Sequence, residues 1–167
     1  LPHVQERIER FLDKSSGDTF QIDTALESFG QGGWLGKGPG EGTVKRILPD
    51  AHTDFIFATM AEEWGLAGGI FIFVCWAVII GWGMGVALGA RTQFARLAAA
   101  GLACTLFFYV LINAMMVMGL APVVGIPMPL ISYGGSAMMT VMLTIGMLMS
   151  IARGARRTML ADGPSAI

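Results

Sequence analysis

The chain has 167 residues, of which 54% are hydrophobic and only 14% charged, with a formal net charge of −1. Soluble domains carry about 25% charged residues, so this composition excludes an ordinary soluble domain. The charges are also segregated: eleven of the twelve acids precede Trp64, and neither 64–90 nor 97–152 contains any charged residue.

Taken in chain order, residues 1–12 carry Val4, Ile8, Phe11 and Leu12 at helical spacing with charges between them, which predicts an amphipathic helix at a membrane interface. Residues 13–19 are polar and turn-like. Ile22, Ala25, Leu26 and Phe29 predict a second helix over 20–29 with Gly30 as its C-terminal cap. Residues 30–42 hold seven glycines in thirteen positions, suited to close backbone approach in a ligand-contacting loop, or to a plain connector. The segment is not a phosphate loop: Gln31 occupies the first glycine position and Gly38 follows Gly36-Lys37. Glu41 likewise breaks the dinucleotide pattern. Thr53 or Asp54 then caps a helix over 55–63, which ends in the adjacent acids Glu62 and Glu63.

A membrane span needs about 20 apolar residues. The first charge-free run holds one span, expected over 66–88. The second holds two, over 97–120 and 130–152, separated by Pro122, Pro127 and Pro129. Arg91 and Arg96 lie between the first two spans, and Arg153, Arg156 and Arg157 follow the third. The positive-inside tendency puts both clusters in the cytoplasm. Residues 1–63 and 121–129 then lie outside, and 153–167 form a cytoplasmic tail. A chain that begins with Leu1 and places its first segment outside is expected to follow an earlier span, as a piece of a longer protein. Cys75 and Cys104 fall inside spans and read as small apolar residues. Gly81, Gly85 and Gly89 repeat on one helix face, which permits close packing by another span. Asn113, one turn after Tyr109, is the main polar side chain of the second span. It reads first as an interhelical hydrogen-bonder and second as a substrate contact. The methionines of the last two spans are adaptable packing.

The candidate site is the outer-interface cluster of Lys37, Lys45, Arg46, His52, Asp54, Glu62 and Glu63. Acids and bases at a membrane surface suit a substrate with a polar head and a lipid tail. Basic residues hold a diphosphate, and a carboxylate beside apolar surface is shifted toward the range useful to a general base. Each residue has a plainer role. Asp54 caps a helix, His52 bonds a loop, and Lys45-Arg46 are surface charge. Glu62 and Glu63 point about 100° apart on a helix, so one is expected to be a solvated charge. Spacing alone gives a site but no reaction.

These residues carry a resemblance to the SEDS family (shape, elongation, division and sporulation proteins). The matching segments are Leu48-Pro-Asp-Ala-His-Thr-Asp-Phe-Ile-Phe-Ala58, Glu62-Glu-Trp-Gly65, Asn113, and Gly125-Ile-Pro-Met-Pro-Leu-Ile-Ser-Tyr-Gly-Gly-Ser136, with 30–42 similar to the family's glycine-rich loop. The wording of Gly42-Thr-Val-Lys-Arg46 and Pro-Asp-Ala-His leans to the family's division branch over its elongation branch. Thr24 stands where many relatives have Gln. The resemblance implies an all-α, ten-span membrane protein of the bacterial inner membrane, of which this chain holds the last large extracytoplasmic loop, with short helices, and the final three spans. It implies a peptidoglycan glycosyltransferase that polymerises lipid II, with Asp54 as general base on the acceptor hydroxyl. Lys37, Lys45, His52, Thr53, Glu62, Glu63, Asn113, Ser132 and Tyr133 become candidate substrate contacts. Lys37 or Lys45, or a divalent cation such as Mg or Mn, would oppose the leaving diphosphate's charge. The implied partners are a class B penicillin-binding transpeptidase, other division membrane proteins and the bilayer, without nucleic acid. A lipid II flippase and a non-enzymatic division scaffold are the alternative functions. The piece alone is expected to be inactive.

Overall fold

The computed structural model describes residues 17–43, 47 and 53–161, and the side chains of 21–43, 47 and 53–156. Within these residues the chain is entirely helical, with α1 at Gly17–Gly32, α2 at Ile56–Gly89, α3 at Gln93–Val117 and α4 at Gly135–Ala161. The amphipathic helix expected over 1–12 lies outside the described residues. Two compact units share these helices. One contains Leu1–Val74 and Tyr109–Gly134, the other Cys75–Phe108 and Gly135–Ile167.

Ile56–Gly89, Gln93–Val117 and Gly135–Arg156 are long and apolar enough to cross a membrane. Only 22%, 39% and 17% of their most apolar stretches are buried within the chain. A core helix of a soluble protein would be covered, so this exposed apolar surface argues for lipid or further spans around it. The chain is part of a multi-pass membrane protein.

Local chemistry sets the helix ends. α1 runs past Gly30 to Gly32 because Gln31 donates to Glu27 at 2.7 Å along the exposed face. Gly33, at φ 55°, takes the left-handed position that follows the helix. α3 starts at the Thr92 hydroxyl, which accepts from Ala95 N at 3.2 Å. It stops at Val117 rather than Leu120 in a Schellman turn. Leu120 N donates to Met115 O at 2.8 Å and Gly119 N to Met116 O at 3.1 Å, around Gly119 at φ 71°. α4 begins only at Gly135, since 129–133 are turn and bend.

In the first unit α1 lies directly on the start of α2. A side chain at Gly32 would overlap the Ala61 carbonyl, so the backbones meet there. Ser28 Oγ lies 3.1 Å from Ala58 O. Phe57 packs between Phe29 and Phe73, with ring centroids 5.7 and 5.0 Å away. Phe55 and Phe57 are wholly buried, each contributing about 1.5–3 kcal/mol. In the second unit Gly83 makes the close approach: a Cβ there would lie 3.2 Å from Ala103 and 3.3 Å from Leu148. Gly81, Gly85 and Gly89 meet nothing within 4 Å, so their shared face is not used within the described residues.

Candidate functional site

The glycine-rich loop is spliced into a break in α2. Gly65, at φ 66° and ψ −166°, leaves the helical conformation in mid-helix. An unbroken helix would pair Leu66 N with Glu62 O and Ala67 N with Glu63 O. Instead the loop supplies all four partners. Leu66 N donates to Gly33 O at 2.9 Å and Ala67 N to Trp34 O at 3.2 Å. Glu62 O accepts from Lys37 N at 3.0 Å and Glu63 O from Gly38 N at 3.1 Å. Buried backbone groups must be paired somewhere, so loop and kink require each other. Glycine is required on both sides of the splice. Gly36 and Gly65 both have positive φ, and a Cβ on either would overlap backbone atoms of the other strand of the splice.

Glu62 is completely buried against this loop. Its Oε1 accepts from Lys37 Nζ at 2.8 Å and from Thr43 N and Oγ1 at 3.0 and 2.9 Å. Lys37 Nζ also donates to Gln31 Oε1. Of the two adjacent acids, Glu62 is therefore an interior anchor, and Glu63 is half-buried. Thr43 and Gln31 were not expected in this network, since an uncharged partner 6 to 19 residues away leaves no periodic signal. Beside the kink lies an apolar pocket of about 460 Å³ between Leu26, Phe29, Phe57, Leu66, Phe73 and Met118.

Asp54 sits in the turn that leads into α2 and is half-buried. Its backbone carbonyl accepts from Asn113 Nδ2 at 3.0 Å, and the same nitrogen donates to Ile126 O at 2.7 Å. Gly125, at φ 74°, passes so close that a Cβ there would lie 3.1 Å from Asp54 Oδ2. The acid thus lies against the loop that follows α3. Asn113 is fully buried, and its Oδ1 has no partner among the described residues.

The remainder of that loop is held by Ser132, whose hydroxyl accepts from Met128 N at 2.6 Å while Ser132 N donates to Met128 O at 3.0 Å. This tight ring forces Leu130 to φ 61°, a conformation that costs a branched residue about 1 kcal/mol or more. Ser132 is buried and Tyr133 is 83% exposed, so of the two only Tyr133 presents its side chain outward. Thr53 is half-buried beside Asp54. Lys45, Arg46 and His52 lie outside the described residues. No three His, Cys, Asp or Glu side chains gather into a metal cage among the described residues.

Residues 2–157 match the cell cycle protein family that comprises FtsW, RodA and SpoVE. The chain is 43% identical to peptidoglycan glycosyltransferase MrdB of Escherichia coli over 154 residues, covering 89% of this chain and 42% of that protein. It is 40% identical to a probable peptidoglycan glycosyltransferase FtsW of Caulobacter vibrioides, covering 90% and 39%, and 36% identical to stage V sporulation protein E of Bacillus subtilis, covering 93% and 43%. The chain therefore spans about two-fifths of the length of the curated relatives it matches. Among solved structures it resembles a chain of a peptidoglycan synthase complex that coordinates polymerization and crosslinking, with TM-score 0.75, 26% identity, and 93% and 43% of the two chains covered. It also resembles the rod shape determining protein RodA of Thermus thermophilus, with TM-score 0.61, 31% identity, and 77% and 39% covered. The chain belongs to the SEDS family, the FtsW, RodA and SpoVE group of cell cycle proteins.

Proposed function

We propose that the full-length protein is a peptidoglycan glycosyltransferase that polymerises lipid II at the outer face of the bacterial inner membrane. Asp54 is its general base. Family membership supports the chemistry, and the observation that carries the residue assignment is the placement of Asp54. The acid is half-buried at the mouth of an apolar helix, against the backbone of Gly125. An acceptor alcohol must lose its proton as it attacks the anomeric carbon, and a carboxylate within hydrogen-bond reach removes it. The bond to undecaprenyl diphosphate breaks as the new glycosidic bond forms. The proton passes to Asp54 and the diphosphate leaves with the electron pair.

The leaving diphosphate needs positive charge beside it. Lys37 or Lys45 fills that role; Lys37 already directs donors to Glu62 and Gln31. A divalent ion would bring Lewis-acid stabilisation to the diphosphate. The described residues supply no cage for one. Residues 1–63 face outward, with the Arg91–Arg96 and Arg153–Arg157 clusters in the cytoplasm. A class B penicillin-binding transpeptidase is the partner for crosslinking. The wording of 42–46 favours division as the setting, while identities of 43% to MrdB and 40% to an FtsW do not separate the branches.

In the full-length protein, Asp54→Ala should abolish glycan synthesis from purified lipid II while membrane insertion remains normal. Normal polymer yield from that variant would overturn the assignment and leave the flippase and scaffold readings standing.

A further inference from the structure

Asn113 and Asp54 are 59 residues apart in sequence, yet one amide joins them. We propose that Asn113 is the positioning residue of the acidic site, fixing the turn that carries Asp54 against the loop that carries Gly125. The proposal rests on the reading of Asp54 as general base. A side-chain amide has two N–H donors in one plane. Here that nitrogen lies 3.0 Å from Asp54 O and 2.7 Å from Ile126 O. Two carbonyls from separate segments held by one planar group cannot slide past each other without breaking a bond.

The consequence falls on the carboxylate. Ile126 follows Gly125, whose absent Cβ would lie 3.1 Å from Asp54 Oδ2. The register that Asn113 sets between the two carbonyls therefore also sets the distance between the carboxylate and the loop backbone. Asn113 itself is 0% exposed, so it does not touch a sugar or a diphosphate and acts through the Asp54 backbone. Its Oδ1 has no partner among the described residues. An apolar side chain would avoid that buried, unanswered acceptor, so the site draws on the amide only through its two donors. This role differs from the substrate contact suggested by a polar residue in an apolar span.

The test is polymerisation of purified lipid II by the full-length protein carrying Asn113→Leu, Asn113→Gln, Gly125→Ala or Asp54→Asn. Asn113→Leu removes both donors while keeping the same branched skeleton. It should lower kcat about 100-fold, the scale of loss when a reacting group is displaced by about 1 Å. KM for lipid II should stay within about twofold, because no substrate contact is lost. Asn113→Gln keeps the amide and should recover about tenfold of that loss. An unchanged kcat in Asn113→Leu overturns the proposal, as does a raised KM at unchanged kcat, which would mark direct substrate contact. Should Asn113→Leu fail to accumulate in membranes, Gly125→Ala decides, since its methyl would lie 3.1 Å from Asp54 Oδ2 and, at φ 74°, would strain the loop that Asn113 holds. A large kcat loss there supports the register, and wild-type kcat overturns it. Activity in Asp54→Asn would sink the general-base reading itself. An inactive Asp54→Asn beside an unimpaired Asn113→Leu would sink only the positioning role.

Discussion

A carboxylate at 0% exposure, as at Glu62, costs several kcal/mol to bury unless its partners answer it. Lys37 and Thr43 do so, but the two ends of the ion pair are not equivalent. Lys37 keeps 32% of its side chain exposed and Glu62 none. Removing Glu62 leaves a lysine that can turn to water, whereas removing Lys37 takes a cation from an interior carboxylate. Lys37→Met is therefore expected to destabilise the full-length protein by about 3 kcal/mol, and more than Glu62→Gln does. The double change Lys37→Met with Glu62→Leu should cost less than Lys37→Met alone. Thermal unfolding of the detergent-solubilised variants gives the order, and a Lys37→Met variant as stable as wild type would refute the asymmetry. The sequence offered Glu62 and Glu63 as equals. A helix turns them apart by about 100°, but which one faces inward depends on where the glycine loop lies, and that is set across 25 residues of chain.

At the level of elements, the kink in α2 is built by two segments that each fail alone. Gly65 interrupts the helix, and the 33–38 backbone repairs the interruption with four hydrogen bonds. Gly65→Ala would both strain a residue at φ 66° and drive a Cβ toward Trp34 O, 2.7 Å away. The loop is then expected to detach, and the amides of Leu66 and Ala67 should exchange with solvent far faster than in the wild type. Gly30→Ala is the contrast. A Cβ there meets nothing within 4 Å and the position is helical, so the change should stabilise α1 by about 0.5–1 kcal/mol. Slow exchange at Leu66 and Ala67 in Gly65→Ala would show that the splice does not depend on glycine. The density of glycines at 30–42 announced a close backbone approach, but its target was hidden. Gly65 reads as one glycine at the mouth of an apolar run, and neither periodicity nor composition reports a positive φ. α3 ends at Val117 and α4 begins at Gly135, a few residues from where the apolar pattern alone places them, for a similar reason. Schellman and hydroxyl turns at 115–120 and 128–132 are local hydrogen-bond geometry superimposed on an unbroken apolar pattern.

Across the whole molecule, the helices long enough to span a membrane were legible because lipid tolerates few charges and the charge-free runs are long. The link between Asp54, Asn113 and the loop at 125–126 was not, because it joins three stretches that share no repeat. Sidedness is the quantity on which the proposed chemistry depends, and the proposed orientation is argued from the chain's arginines. Two crossings separate Arg91 and Arg96 from Arg153 and Arg156, so both clusters share a side, and the positive-inside tendency assigns that side to the cytoplasm. In the proposed orientation Tyr133, one crossing away and 83% exposed, lies outside, on the same face as Asp54. Cys75 and Cys104 are exposed thiols on the spans and must first be replaced. In that background of the full-length protein, a Tyr133→Cys thiol should react in intact cells with a membrane-impermeant maleimide. A Gln93→Cys thiol, at the start of α3 near Arg91, should react only after the membrane is opened. The reversed pattern would put Asp54 in the cytoplasm, where a polymer growing on the outer face could not reach it, and the glycosyltransferase assignment of this acid would fail with the topology.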